Sequence, residues 1–211
     1  METELEKYIR EHSTPQGEAL EWIEKQTNIR TNYPQMLSGA VQGRFLTMMV
    51  ELTGAKDILE IGTFTGYSAV CLANGLHGKG HVHTLEINDE LEDLTREGWR
   101  KAGVEDLITL HIGDAREILR SLPGPFDLIY IDANKREYLQ YYDLVIDKLR
   151  PGALLLVDDV LLGGKVYEPD PSCDKQTREL LAFNETIAKD PRVEVAILPI
   201  RDGLSVIRKK D

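Results

Sequence analysis

Apolar residues recur at helical spacing over the first part of the chain, up to residue 54. Thr14 followed by Pro15 is typical of a helix start. A second helix is predicted after Ser38 and would end at Gly54. Its apolar face carries Val41, Phe45, Leu46, Met49 and Leu52. This face is suited to packing on a sheet.

From Asp57 onward, short apolar runs alternate with segments of helical length. Each run is too short for a helix and indicates a buried strand. The runs are DILEI, HVHTLEI, LITLHI, FDLIYI and ALLLV. The segments between them have the length of crossover helices: Tyr67 to Leu76, Asp89 to Lys101, Ala115 to Ser121 and Glu137 to Leu149. This βαβ alternation predicts an α/β fold with a mostly parallel sheet.

The last part of the chain has a different pattern. A helix is predicted from about Lys175 to Lys189, followed by the β-rich runs VEVAILPI and LSVIRK. Arg201, Asp202 and Gly203 join the two runs, and an Asp-Gly pair is typical of a hairpin turn. We therefore expect five parallel strands followed by an antiparallel pair.

Length and composition narrow the class of protein. A chain of 211 residues is expected to form one domain with a substantial core. No apolar stretch approaches the ~20 residues of a membrane helix, and the amino-terminal residues do not resemble a signal peptide. Cys71 and Cys173 match neither a redox pair nor a zinc spacing. These features favour a cytoplasmic protein without a membrane partner.

The first strand leads into a glycine turn and then directly into a helix. Ligands bind beyond the carboxyl ends of parallel strands, so this turn is expected to hold a cofactor. Gly62 and Gly66 do not have the three-glycine spacing of a dinucleotide site. Glu60 at the strand end instead suits a cationic amino acid moiety, and Glu86 at the second strand end suits ribose hydroxyls. Together they suggest a nucleoside that carries an amino acid.

Three aspartates follow two later strands of the predicted sheet. Asp132 ends the fourth run, and Asp158 and Asp159 follow the fifth. Carboxylates gathered at one sheet edge repel one another unless a cation lies between them. Because oxygen ligands suit Mg²⁺, Ca²⁺ or Mn²⁺, the sequence predicts a divalent-metal site.

The motifs LEIGTFTGYSA, LEIN, GDA, YIDANKREY and VDDVLLGGKV occur in this order along the chain. From about Met36 to the carboxyl end, the sequence resembles bacterial-type members of the cation-dependent O-methyltransferases, which include catechol and caffeoyl-CoA O-methyltransferases. The resemblance implies a Rossmann-like class I methyltransferase fold with seven strands, a terminal antiparallel hairpin and N-terminal helices. Residues 1–54 would pack on the sheet near the active site, and residues 55–211 would bind cofactor and metal.

The same resemblance implies that S-adenosylmethionine is the cofactor and assigns roles to single residues. Met36 and Ser38 would lie at its methionine end, with Glu60, Gly62, Thr63 and Ser68 at its amino acid part, Glu86 at the ribose, Asp114 and Ala115 at the adenine, and Asp132 and Asn134 nearby. Asp132, Asp158 and Asp159 match the metal ligands, and Lys135 matches the lysine proposed as the base. The third ligand is commonly Asn, so metal preference cannot be carried over to Asp159.

The expected reaction is attack of a hydroxyl oxygen on the sulfonium methyl group. A phenol of pKa ~10 costs about 4 kcal/mol to ionise at pH 7. Chelation of two vicinal oxygens by a divalent cation, Mg²⁺ foremost, would lower that cost, and Lys135 would accept the proton. The leading hypothesis is therefore methylation of a small vicinal-diol phenol, of catechol or caffeoyl type, by a homodimer.

Other functions remain as alternatives. Some bacterial members of the family methylate hydroxylated uridine in transfer RNA, and a basic patch for it could comprise Arg30, Arg44, Lys165, Lys175 and Arg178. The formal charge of −11 weighs against nucleic acid. A nicotinamide oxidoreductase is disfavoured by the glycine spacing and the absence of a Tyr-x-x-x-Lys motif. A non-catalytic metal-binding module would explain neither Glu60 nor Glu86. Acceptor preference is expected to depend on residues 163–173 and the N-terminal helices.

Overall fold

Seven strands form a mixed sheet whose order differs from their order in the chain. They are β1 (Asp57–Ile61), β2 (His81–Glu86), β3 (Ile108–Ile112), β4 (Phe126–Ile131), β5 (Leu149–Val157), β6 (Val193–Leu198) and β7 (Leu204–Lys209). The spatial order is β3-β2-β1-β4-β5-β7-β6. Strands β1 to β5 are parallel, and β7 runs antiparallel to both β5 and β6. The predicted parallel sheet with a terminal hairpin is confirmed.

Helices lie on both faces of this sheet in the computed structural model, which describes residues 3–168 and 173–211. They are α1 (Glu4–Glu11), α2 (Glu18–Arg30), α3 (Gly39–Thr53), α4 (Tyr67–Gly75), α5 (Glu92–Ala102), α6 (Ala115–Ser121), α7 (Tyr138–Val145) and α8 (Lys175–Lys189). Of the segment expected to set acceptor preference, residues 169–172 lie outside the described residues. No helix in the described ranges has the length and apolarity needed to cross a bilayer.

Two helix predictions near the amino terminus are wrong in detail. The helix predicted to start at Thr14 begins only at Glu18, because Gly17 before it has φ +88°, which no helix can continue through. Leu52, assigned to the buried face of α3, is 73% exposed. The face that α3 turns to α4 instead carries Gly43, whose small size admits Tyr67 and Cys71, and Thr47, which donates a hydrogen bond to the Cys71 carbonyl.

The core has two halves, one on each face of the sheet. Helices α2 to α5 contribute to the first half, in which Trp99 is fully buried. Helices α6 to α8 contribute to the second, around Phe183 and Tyr138. The central strands contribute buried apolar residues to both halves, as is usual for parallel strands covered on two sides. Because β1, β4 and β5 are adjacent and parallel, their carboxyl ends lie side by side at one edge of the sheet.

Candidate active site

A cavity of about 470 Å³ opens at the carboxyl ends of the parallel strands. The chain segments that follow β1, β2, β3 and β4 form its walls. Among the residues expected at the cofactor, those that line it are Met36, Gly62, Glu86, Asp114, Ala115, Asp132 and Asn134. Ser38, Thr63 and Ser68 line a smaller recess that shares Met36, Gly62 and Asp132 with the cavity. Their side chains are buried.

Gly62 allows the first and fourth strands to end against each other. It has φ +103°, and a Cβ at this position would lie 1.9 Å from the backbone oxygen of Asp132. The backbone of Asp132 is tied to the end of β1 by its amide, which donates to the Ile61 carbonyl at 2.9 Å. Glycine is therefore required here because two loops cross, whereas the sequence had predicted only that this turn holds a cofactor.

Glu60 is fully buried below the recess and lacks a complete set of partners. Its Oε2 accepts a hydrogen bond from Thr84 Oγ1 at 2.5 Å, whereas Oε1 has no hydrogen-bond partner. Burial raises the pKa of Glu60 to about 8, although the hydroxyls of Ser68 and Thr84 act to lower it. A buried carboxylate with one unsatisfied oxygen fits an ammonium group, which would supply both the missing donor and the missing charge.

Glu86 is held by two backbone amides at the end of β2. Its Oε2 accepts from Phe64 N at 2.7 Å, and its Oε1 accepts from Asn88 N at 2.9 Å. The first of these amides belongs to the glycine turn, so the turn and the carboxylate orient each other. The carboxylate lines the cavity with lone pairs left over. This arrangement can accept hydrogen bonds from a pair of hydroxyls.

Asp114 caps helix α6 at the far end of the cavity. Its Oδ1 accepts from Arg116 N at 2.8 Å, and its Oδ2 pairs with Arg116 Nη2 at 2.6 Å. Hydrogen bonds from Arg116 lower the pKa of Asp114 to about 2. The carboxylate is thus fixed in its charged form beside Ala115, the first residue of the helix.

Lys135 lies between two of the three aspartates predicted to bind metal. Its Nζ is 3.2 Å from Asp132 Oδ1 and 2.6 Å from Asp159 Oδ2. Burial favours the neutral amine, but Tyr138, Asp132 and Asp159 outweigh it, so the pKa of Lys135 is raised above its usual range. In this arrangement Lys135 is an ammonium ion. The lowered pKa that a general base needs would require another cation to take over the two carboxylates.

Asp158 points away from this ammonium toward a buried network. Its Oδ2 accepts from Gln42 Nε2 at 2.5 Å and from Tyr130 OH at 3.0 Å, and its Oδ1 accepts from Asp159 N at 2.8 Å. Burial raises the pKa of Asp158, and the adjacent charge of Asp159 adds to the effect. The structure therefore brings Asp132 and Asp159 to one cationic atom and places Asp158 directly behind them.

The donor chemistry at these strand ends fits a hard divalent cation. Asp132 and Asp159 already converge on one positive charge, and carboxylate oxygens are the preferred ligands of such ions. Over residues 3–168 and 173–211, no three His, Cys, Asp or Glu side chains surround a common point as ligands of an ion would. Asp158 would have to turn from Gln42 to complete the set. Asp159 has φ +55°, a conformation in which Asp and Asn are enriched.

Comparison with known proteins identifies the family of this chain. A sequence profile of the O-methyltransferase family matches residues 10–210. The chain belongs to the O-methyltransferase family. Caffeoyl-CoA O-methyltransferase 1 of Eucalyptus globulus is 37% identical over 184 residues, which cover 82% of this chain and 75% of the relative.

Two solved structures extend the likeness over the whole chain. The Streptomyces achromogenes O-methyltransferase TomG, in complex with SAM and involved in tomaymycin synthesis, has a TM-score of 0.91 at 30% identity and covers 100% of this chain and 97% of its own. The O-methyltransferase from Bacillus cereus, in complex with SAH, has a TM-score of 0.90 at 32% identity, with 99% and 98% covered. This protein is therefore an S-adenosylmethionine-dependent O-methyltransferase with a Rossmann-like fold.

Several residues around the methyltransferase site were not found from the sequence. Those lining the cavity include Tyr33, Phe64, Ile87, Arg116, Glu137 and Tyr141. Ile87, 76% exposed directly after Glu86, could have been found as an apolar residue beyond a strand end. Gln42 also carried a signal, because it stands four residues before Leu46 on the buried side of α3. A buried amide at such a position usually has a polar partner, here Tyr130 and Asp158.

Proposed function

We propose that this methyltransferase methylates a hydroxyl oxygen of a small vicinal-diol phenol, of catechol or caffeoyl type, with the help of a divalent cation. The observation that carries the proposal is the position of Asp132. It lines the cofactor cavity and also shares the ammonium of Lys135 with Asp159. A cationic position thus adjoins the cofactor cavity, where two oxygens of a diol could be held while one of them is methylated.

The cofactor cavity supports specific roles for the residues around it. Glu60 would receive the ammonium group of S-adenosylmethionine through its unpartnered Oε1, and Thr63 and Ser68 would border the same moiety. Glu86 would accept the ribose hydroxyls. Asp114 and Ala115 would border the adenine, and Met36, Ser38 and Asn134 would complete the enclosure. When bound, S-adenosylmethionine supplies an electrophilic methyl group on its sulfonium.

Three aspartates of this chain would hold the divalent cation, namely Asp132, Asp158 and Asp159. When bound, such a cation would lower the pKa of the acceptor hydroxyl, which costs about 4 kcal/mol to ionise unaided. Lys135 would be released from its two carboxylates and would then lie within reach of the acceptor proton. In this structure Tyr130 and Gln42 hold the Asp158 carboxylate by hydrogen bonds at its Oδ2, so Asp158 would join the other two ligands only after it turns from Gln42.

The experiment that tests this proposal is a methyl-transfer assay with catechols, flavonoids and caffeoyl-CoA. It is run with Mg²⁺, Mn²⁺ or Ca²⁺ and after exhaustive chelation. We expect methylation of vicinal diols, no methylation of matched monophenols, and loss of activity on chelation. Full activity after chelation would contradict the metal role. Activity on monophenols would contradict the diol role.

A matched variant tests Asp159 as a ligand. Asp159→Asn keeps an oxygen donor and a residue type suited to φ +55°, while it removes one negative charge. We expect the variant to fold normally and to change which cation gives the highest activity. An unchanged ranking of cations would show that Asp159 does not contact the metal.

Transfer RNA is retained in the assay as an alternative acceptor, although no contact in the described part of the chain favours it. Of the basic residues considered for such a patch, Arg30 pairs with Glu97, Lys165 pairs with Asp174, and Arg44 donates to the Pro15 carbonyl. Methylation of hydroxylated transfer RNA with a steep salt dependence would replace the phenol proposal. A cytoplasmic location and a homodimer, expected from the sequence, stay predictions.

A further inference from the structure

The turn between β6 and β7 contacts two segments that are distant in sequence. Arg201 Nη2 donates to the Gln35 carbonyl at 3.2 Å, and Arg201 Nη1 donates to the Leu37 carbonyl. Asp202 accepts from Gly163 N through its Oδ1 at 2.5 Å and from Leu161 N through its carbonyl at 2.8 Å. Arg201 thus holds the segment around Gln35 and Leu37, and the Asp202 side chain holds the segment around Gly163.

These two segments flank the methyl-transfer site. The first, residues 33–38, is called the strap here; its Tyr33 and Met36 line the cofactor cavity. The second, residues 161–164, follows closely on Asp158 and Asp159. Within itself the strap has few bonds, namely Met36 N to the Tyr33 carbonyl at 3.1 Å and Leu37 N to the Pro34 carbonyl at 3.3 Å. The carboxyl-terminal end of the strap is anchored by the burial of Leu37 and Ser38 and by the 3.5 Å contact of Ser38 Oγ with Tyr130 OH. Arg201 is the contact that also holds the carbonyl of the exposed Gln35.

Arg201 makes its contact from an unfavourable backbone position. Its φ is +49°, a conformation that is uncommon for a non-glycine residue other than Asn or Asp. The requirements of the turn would be met better by glycine. A planar guanidinium presents its donors in a fixed fork that suits two carbonyls side by side, whereas a lysine ammonium is a flexible point donor and a glycine has no side-chain donor. The contact with the strap gives a physical reason for arginine at this position.

We propose that Arg201 is a positioning residue for methyl transfer, which fixes the strap so that Met36 closes the methionine end of the cofactor cavity. Its effect is transmitted through the strap, since the guanidinium contacts strap carbonyls. The proposal rests on the proposed function in one respect, namely that Met36 borders the methionine end of bound S-adenosylmethionine. Its two tests use cofactor binding and backbone exchange and need no acceptor.

Arg201→Gly is the informative variant, because it deletes the guanidinium while relieving the positive φ. We expect its melting temperature to stay near that of the parent. Hydrogen exchange should accelerate at the hydrogen-bonded amides of Met36 and Leu37 in the strap and stay unchanged at residues 161–164. Affinity for S-adenosylhomocysteine, measured by calorimetry, should fall roughly tenfold, as for loss of charge-assisted hydrogen bonds. Arg201→Lys, which keeps the charge but lacks the planar fork of donors, should give an intermediate loss.

Asp202→Ala serves as the matched control in the same turn. It removes the hydrogen bond to Gly163 N and leaves Arg201 in place, so exchange should accelerate at residues 161–164 and not in the strap. Unchanged exchange in the strap of Arg201→Gly, or S-adenosylhomocysteine affinity within twofold of the parent, would overturn the proposal. Failure of the parent protein to methylate any diol would contradict the proposed function and leave both of these results valid.

Discussion

The carboxyl group of Glu60 combines a stability cost with the ammonium-binding role proposed for it. Its pKa is raised by burial from 4.5 to about 8, so the folded protein holds a proton that the unfolded chain releases between these values. The contribution of Glu60 to stability therefore falls as pH rises through this window, by at most about 1.4 kcal/mol per pH unit. An ammonium ligand would reverse this cost by stabilising the carboxylate.

Glu60→Gln should separate the two effects. We expect the ligand-free variant to melt at the parental temperature near pH 4.5 and at a higher temperature than the parent at pH 8.5. Its affinity for S-adenosylhomocysteine should fall by about tenfold or more, because the charge-assisted bond is lost. Thermal unfolding across pH and calorimetry measure both. A melting difference that does not grow with pH would mean that Glu60 is ionised without ligand.

Lys135 could serve methyl transfer as a general base or only as a fixed positive charge. Substitutions distinguish these two roles, because each role predicts a different result. Lys135→Ala should lower turnover by about 10²-fold in either case. Lys135→Arg keeps a positive charge near Asp132 and Asp159 but cannot release a proton at neutral pH. We expect the arginine variant to be as inactive as the alanine variant, with cofactor affinity retained in both. Activity close to parental in Lys135→Arg would mean that the charge alone is needed.

The extent to which the sequence predicted these residues follows from their location. Asp132, Asp158 and Asp159 follow buried strands, and topology alone brings strand ends together, so their proximity could be predicted. The contact of Asp158 with Gln42 could not, because it joins a strand end to a helix 116 residues away in the chain. Nor could the ammonium of Lys135 between two carboxylates, which depends on the rotation of side chains around a loop.

At the scale of elements, the end of β1 is constrained by the end of β4. A Cβ on Gly62 would overlap the Asp132 backbone oxygen, and neither backbone can move without breaking the sheet edge. Gly62→Ala should therefore destabilise the protein by more than about 3 kcal/mol, through overpacking and positive φ together. Gly54→Ala is the control, since Gly54 has φ +64° and nothing within 4 Å of its Cβ position. It should cost only about 1 kcal/mol.

Denaturant unfolding of the two glycine variants gives the comparison directly. Equal losses at the two positions would show that backbone strain dominates and that the loop crossing is more yielding than its geometry indicates. The strand pattern was predictable in this region because apolar runs determine the strands. The structural role of Gly62 was harder to predict. Its motif is equally compatible with a turn that binds a ligand, and the Asp132 carbonyl that it contacts lies at the end of another strand.

At the scale of the molecule, helix α1 has an apolar side without a cover. No residue of this eight-residue helix is buried, and Leu5 and Tyr8 are 68% and 60% exposed. Helices of this length are marginal unless packing stabilises them. The homodimer expected from the family resemblance would supply such packing, and this surface is our candidate for part of it. The amino-terminal pattern did not identify α1, because charged residues separate its few apolar ones.

Leu5→Lys should then shift the protein from dimer to monomer at micromolar concentration, as measured by light scattering on a sizing column. Ile197→Lys, on strand β6 and 45% exposed, is the control and should leave the mass unchanged. A parental protein that is monomeric at all concentrations would rule out the dimer. A dimer unaffected by Leu5→Lys would place its interface elsewhere.

The position of β7 has a consequence for how the protein is made. Strand β7 pairs with β5 and β6 and lies between them, although it follows both in the chain. While the ribosome is still adding residues, β5 therefore has an open edge, and its residues Leu155 to Val157 are apolar on both sides. Such an edge can recruit other nascent chains. Chaperone protection should matter most in the interval before residues 204–209 emerge, and prematurely terminated chains should aggregate more than completed ones.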